Sequence, residues 1–264
     1  LKNLNKKKKY KKILEIGTND LYLLKKFSKK AKKLVGIDPV INKKDKSLKN
    51  FHPIKGFFTE IDNKKIGHEN NIVISGHTLE HVDDPELFLK KTISLADKNT
   101  KIFFQFPSAE SLINNCSFDQ VHHQHLNYFS LKSFSKLLKK CGGKIIDYDY
   151  HELHFGVLMV LFTRKSSKVK QVKKINLKKR ILPSNFMQAY RNFKTHLATY
   201  KHLIESYIFM KKKFYIVGAG LMLPIINYHL GGLINKVNGI LDDDPNKINK
   251  YFLDINTKII SLKK

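Results

Sequence analysis

Two stretches of this chain repeat one local plan. An apolar strand runs into a glycine turn, a helix follows, and a second apolar strand ends on carboxylates. In the first stretch, Ile13-Leu14-Glu15-Ile16-Gly17 reads as a buried strand entering a turn, Asp20 to Lys33 has helical spacing, and Leu34-Val35-Gly36-Ile37-Asp38 is the next strand. In the second, Lys213-Phe214-Tyr215-Ile216-Val217 runs into Gly218-Ala219-Gly220. An apolar helix follows, and Val237 to Leu241 leads to Asp242-Asp243-Asp244-Pro245. Glycine at such a turn lets a ligand approach the main chain, and the helix start offers free N–H groups. Asp38 lies 21 residues beyond Gly17, where a carboxylate can take both hydroxyls of an adenosine ribose.

Further apolar runs fill the interval. Phe51 to Phe58, Asn71 to Ser75 and Lys101 to Phe106 read as strands. Asp84-Pro85 caps a helix expected through Ala96, and Ser130 caps another through Lys140, closed by Gly142. Lys144 to His151 and Phe155 to Thr163 form a final strand pair. These strands are continuously apolar, the form taken by a parallel sheet covered on both faces by helices. Lys165 to Lys178 has a linker's composition, and Pro183 to Met210 looks helical. The expected architecture is α/β: a domain over 1–165, a linker and helical segment over 166–210, and a smaller Rossmann-like α/β domain over 211–264. The last stops short of a full sheet and the chain starts at Leu1, so both ends read as cut from a longer protein.

The formal charge of +28 raises nucleic-acid binding as a rival function. Only three of the 50 basic residues are arginines, Arg164, Arg180 and Arg191, and the lysines are spread along the whole chain. Readers of nucleic acid favour arginine for bidentate contacts, so nucleic acid is not the expected partner. Cys116 and Cys141 make neither a CxxC pair nor a disulfide framework, which points to a reducing cytoplasm. No apolar run reaches the ~20 residues of a membrane span.

The chemistry is expected in Phe118-Asp119-Gln120-Val121-His122-His123-Gln124-His125-Leu126-Asn127-Tyr128-Phe129-Ser130, where three histidines fall within four positions. Imidazoles move protons near neutral pH. Their spacing matches no zinc template, so no metal site is expected.

The segment Glu15-Ile16-Gly17-Thr18-Asn19-Asp20 resembles motif I of class I S-adenosylmethionine-dependent methyltransferases, and Asp38 resembles their motif II acid. Gly76-His77-Thr78-Leu79-Glu80-His81-Val82-Asp83-Asp84-Pro85 resembles the "LEHVxDP" segment that follows their fourth strand. The histidine stretch resembles the "FDQVYHEHLSYFS" signature of sugar C-methyltransferases. His154-Phe155-Gly156 is similar to that family's "HGG" segment. Gly218-Ala219-Gly220, Asn227-Tyr228 and Asp243-Asp244-Pro245-Asn246-Lys247 are similar to its C-terminal "GAG…NY…DrnPxK" pattern.

The resemblance implies a seven-stranded sheet with S-adenosylmethionine across the strand ends. Glu15 and Gly17 would line its methionine side, Asp38 its ribose, Asp20 would support the turn, and His77 would lie beneath the methyl donor. The acceptor implied is a nucleotide-sugar or other small molecule. His123, His154, Gly218, Gly220, Asn227 and Asp243 are the candidate contacts, and the acceptor would lie between the domains. His125 is the expected base, His81 is expected near an enolate oxygen, and His122, Gln124 and Tyr128 complete the catalytic set. Three departures stand out: Leu21 where the family has glycine, Gln124 where it has glutamate, and His122 where it has tyrosine. They leave open a non-catalytic S-adenosylmethionine- or nucleotide-binding homologue, and the rival enzyme is an O- or N-methyltransferase using the same donor. No cysteine pairs like those of the family's N-terminal zinc module occur here, so that module is expected to be absent or to have been removed upstream of Leu1.

Overall fold

A computed structural model of the chain describes residues 9–41, 48–152, 156–172, 175 and 183–262. Contacts divide it into two compact units, Leu1–Ser111 with His123–Arg180, and Leu112–His122 with Ile181–Lys264.

The first unit is built on seven strands: β1 (Tyr10–Ile16), β2 (Ala31–Asp38), β3 (Phe51–Lys55), β4 (Asn70–Gly76), β5 (Ala96–Pro107), β6 (Gly143–His151) and β7 (Val157–Arg164). Their order in the sheet is β3-β2-β1-β4-β5-β7-β6. β7 runs antiparallel to both of its neighbours, and the other pairs are parallel. Its helices are α1 (Tyr22–Phe27), α2 (Asn63–Ile66), α3 (Pro85–Ser94) and α5 (Leu131–Lys140), and α4 (Ala109–Asn114) is divided between the two units after Ser111.

The inner strands carry apolar residues on both of their faces because both faces of the sheet are covered. Ile13, Leu34, Ile72 and Ile74 face one core, with Leu24 of α1. Leu14, Ile16, Val35, Ile37 and Val73 face the other, with Phe88 of α3 and Phe134 of α5. In that second core, Phe134 stands 5.0 Å from Phe106 and 5.7 Å from Phe162 between ring centroids, and Phe104 stands 5.0 Å from Phe162. Such edge and tilted contacts add to the area that each ring removes from water.

Two helices are shorter than their spacing suggests. The pattern over Asp20 to Lys33 yields only α1, because Ser28 caps it and Ala31 already pairs with Tyr10 in the sheet. α3 stops at Ser94, since Ala96 pairs with Asn70 as the first residue of β5. The caps are where the sequence puts them. Asp84 accepts the Leu87 N–H at 2.9 Å, and Ser130 and Ser133 form a reciprocal box.

Leu21 begins α1 in the left-handed region, at φ 63°. Its side chain is 2% exposed and packs into the core with Ile13, Leu24 and Leu34. The bulk that replaces the usual glycine is thus spent on the core.

The second unit holds α6 (Pro183–Phe209), β8 (Tyr215–Val217), α7 (Leu223–His229), β9 (Gly239–Asp242) and β10 (Ile259–Ser261). Its three strands are parallel in the order β10-β9-β8. Ile204 of α6 joins Ala219, Ile234, Ile240 and Ile259 in its core. Phe118 packs within this unit against Phe186, Tyr190 and Phe193, at 5.1, 5.2 and 5.7 Å. The long helix therefore packs with the smaller sheet rather than standing as a separate linker segment.

Two stability outcomes follow. Phe134→Ala should lower the unfolding free energy by about 3–5 kcal/mol, the usual cost of emptying a buried aromatic site, read from urea midpoints. Leu21→Gly relieves a left-handed backbone worth about 1–2 kcal/mol but empties a site worth about 2–5 kcal/mol. It should destabilise on balance, and a higher midpoint than wild type would show that strain outweighs packing there.

Candidate functional site

The strand order reverses between β1 and β4, and ligands of open α/β sheets bind beyond the carboxyl ends of the strands at such a switch point. The candidate residues of the first unit gather at this end. Gly17 follows β1 at φ 78°, and a Cβ there would lie 2.1 Å from Thr78 Oγ1. The turn is tied to β2, because Gly17 N–H donates to the Ile37 carbonyl at 2.8 Å and Asn19 N–H to Asp38 Oδ2 at 3.0 Å. Asp38 Oδ1 accepts the Val40 N–H at 2.9 Å. A carboxylate offers about four acceptor positions, so each oxygen of Asp38 keeps capacity for a ribose hydroxyl. Asp20 accepts the Tyr22 N–H at 3.0 Å and starts α1.

Glu15 is 5% exposed, and its Oε2 has no hydrogen-bond partner. Burial, then the negative charges of Asp20 and Asp38, raise its pKa to about 8, so it is largely protonated at neutral pH. A buried polar atom without a partner is costly, and a cationic ligand at this turn would satisfy it. The residues present therefore fit the methyl donor that the resemblance implies.

The segment after β4 forms a second cluster. His77, at φ 51°, has Nδ1 3.1 Å from Glu80 Oε1 and Nε2 2.9 Å from Gln105 Nε2. The amide nitrogen only donates, so His77 Nε2 accepts and Nδ1 donates to the carboxylate. Leu79–His81 makes a single 3-10 turn. Glu80 within it is 1% exposed, and its Oε2 lacks a partner.

The histidine loop is fastened onto this turn. The Glu80 carbonyl accepts the N–H groups of Leu126 at 2.8 Å and Asn127 at 3.1 Å, and the Asn127 amide donates to the Val82 carbonyl at 2.6 Å. His81 Nδ1 lies 2.7 Å from the Gln124 carbonyl. A carbonyl only accepts, so the proton sits on Nδ1 and the lone pair on Nε2. The His81 and His125 rings are 5.0 Å apart, with Tyr128 6.2 Å from His125. The His123 and Gln124 side chains are exposed.

Other expected residues fall elsewhere. His122 groups with the second unit, and His123 with the first. His154 lies outside the described residues. In the second unit, Gly218 sits at φ 96°, and a Cβ on Gly218 or Gly220 would meet nothing within 4 Å. Asn227 is buried, and its Oδ1 accepts the Ile234 N–H at 3.0 Å, which gives it a structural task. Asp243 is exposed, whereas its neighbour Asp242 accepts the Ala219 N–H at 2.7 Å and the Asp244 N–H at 2.9 Å. Those two bonds, with Lys247, hold the Asp242 carboxyl below the usual range.

The sequence reading left four residues off its site. Thr78 closes on Gly17, Glu80 and Gln105 fix His77, and Asn127 anchors the loop. Thr78, Glu80 and Asn127 lie inside the quoted motif stretches, and Gln105 carries a signal of its own, as a polar residue inside the run Ile102-Phe103-Phe104-Gln105-Phe106.

Residues 1–148 match the family described as "Methyltransferase domain". Among curated proteins, C-methyltransferase NovU of Streptomyces niveus is 25% identical over 154 residues, covering 56% of this chain and 36% of that protein. This chain thus spans about a third of the relative it matches. A Bacillus halodurans protein assigned as a methyltransferase superposes with a TM-score of 0.51 at 11% identity, over 63% of this chain and 97% of its own. A chain from the Haloferax volcanii complex of the Trm112 methyltransferase activator with a methyltransferase gives a TM-score of 0.50 at 12% identity, covering 60% and 84%. These two likenesses concern the fold alone. With more than half of its length matched, the chain belongs to the methyltransferase-domain family.

Proposed function

We propose that the chain methylates a carbon of a nucleotide-linked keto-deoxysugar through an enolate. The pairing of His81 with His125 beyond the β4 end, each on a segment fixed by main-chain bonds, carries this reading. The similarity to a C-methyltransferase of Streptomyces niveus and the sugar C-methyltransferase signature over residues 118–130 support it.

S-adenosylmethionine, when bound, supplies an electrophilic methyl group on a positively charged sulfur. The Gly17 turn would admit it, Asp38 would take its ribose, and Glu15 would face its positive end. A carbon acceptor has no lone pair until the neighbouring keto group lets a proton leave. His125 and His81 share that proton, and the Gln124 carbonyl keeps the basic nitrogen of His81 at Nε2. Gln124 cannot serve as a base through its amide, so the imidazoles stand in for the family's glutamate–histidine pair. Tyr128, whose ring lies 6.2 Å from that of His125, would donate to the enolate oxygen. Holding the acceptor carbon in line with the methyl group supplies much of the rate.

None of the described helices is long and apolar enough to cross a membrane. We place the enzyme in the cytoplasm, where nucleotide-sugars are made.

His125→Ala and His81→Ala should each lower turnover by at least ~10²-fold while S-adenosylmethionine still binds. The double variant should lose little more than either single one, as for groups acting together. Exchange of the acidic C–H of a keto-sugar nucleotide into heavy water isolates the proton step. Wild-type exchange by His125→Ala would remove that residue from it.

The raised pKa of Glu15 sets a pH dependence for donor binding. Its neutral form dominates below pH ~8, and a cation prefers the ionised form. Affinity for S-adenosylmethionine should therefore rise from pH 6 toward about 8 and level off above, with proton release on binding at neutral pH. Calorimetry in buffers of different ionisation heat measures both effects. A Glu15→Gln variant with the wild-type profile would show that Glu15 does not face the donor.

A further inference from the structure

We propose that Glu80, His81 and His125 form a binding site for one divalent transition cation of the zinc and cobalt kind. A carboxylate oxygen of Glu80 and one ring nitrogen from each histidine lie within 4.8 Å of one another. Two imidazoles and a carboxylate are a donor set suited to Zn²⁺ or Co²⁺, with coordination positions left open.

Three further observations fit an ion. Glu80 is 1% exposed, and its Oε2 is buried without a partner, while His77 holds Oε1 at 3.1 Å. An unsatisfied carboxylate oxygen beside two imidazoles is a costly arrangement that a cation relieves. His81 donates its Nδ1 proton to the Gln124 carbonyl, which leaves Nε2 with the lone pair a metal requires. A ligating histidine almost always carries such an outer partner. The Gln105–His77–Glu80 chain orients the carboxylate in the same way.

Ligands bound at 2.0–2.2 Å in tetrahedral geometry are about 3.4 Å apart. Drawing three ligand atoms from within 4.8 Å to that spacing asks for a shift of at most about 1.4 Å, with Glu80 buried, His125 half-exposed and His81 exposed. The set is discontinuous in sequence, and the loop–turn bonds assemble it.

The site shares side chains with the proposed proton transfer, and an ion would compete with the proton for the same ring nitrogens. The inference stands on coordination geometry and not on the identity of the acceptor. The test therefore uses the metal-stripped full chain with neither donor nor acceptor present. Co²⁺ titration should give one saturating equivalent with the visible absorption of a low-coordinate nitrogen and oxygen site, displaced by Zn²⁺. His81→Ala and Glu80→Gln should each weaken Co²⁺ binding at least ~10-fold, the loss that even an outer partner of a ligand can cause. His202→Ala, in the exposed His202–Glu205 pair of α6, should leave it unchanged. Far-UV circular dichroism and melting midpoints check that the variants fold, and His125→Ala gives an independent removal of a ligand. Absence of a saturable Co²⁺ signal, or equal binding by the folded Glu80→Gln and His81→Ala variants, would overturn the site. Neither result would bear on methyl transfer, which the exchange and turnover measurements judge separately.

Discussion

The site depends on a short set of main-chain bonds between two loops distant in sequence. The Glu80 carbonyl takes two N–H groups from the histidine loop, and that loop returns a carbonyl to His81. Without these bonds the imidazoles would sit on exposed segments with many orientations. With them, both rings are held beyond the end of β4, where Thr78 also closes against the Gly17 turn. The bonds thus link the turn suited to a methyl donor with the groups suited to moving a proton. A preorganised pair loses less entropy at the moment of reaction than a mobile one.

A second regularity appears twice in the chain. Gly17 N–H bonds the Ile37 carbonyl at 2.8 Å, and Gly218 N–H bonds the Leu241 carbonyl at 2.7 Å. In each case the acid at the end of the second strand spans two main-chain donors, Asn19 and Val40 for Asp38, and Ala219 and Asp244 for Asp242. The acid fixes the glycine turn and the chain reversal behind it at once. This role needs no ligand, so an acid at this position is informative about fold before it is informative about binding. The two units share the device; among the described residues, only the first unit also has a buried carboxylate oxygen without a partner and paired imidazoles.

Much of the fold could be read from the sequence because its signals are local. Runs such as Ile13 to Ile16 and Ile72 to Ile74 are apolar on both faces, which only a covered parallel sheet explains. Asp84 and Ser130 cap helices through their immediate neighbours. Helix ends were less legible, because pairing in the sheet claims Ala31 and Ala96 against helical spacing. The site was legible in its residue types and less so in its roles. The tautomer of His81 depends on a carbonyl 43 positions away. The state of His77 depends on Gln105 in another strand. In the run Asp242-Asp243-Asp244, composition does not reveal that the first acid holds the turn.

The imidazole at position 81 is oriented by an oxygen of the polypeptide backbone, not by a side chain. Every amino acid at position 124 would present that same oxygen. Glutamine can thus replace glutamate there without disturbing which ring nitrogen is basic, and evolution is free to explore the outward-facing group at 124 while the proton-handling geometry stays intact.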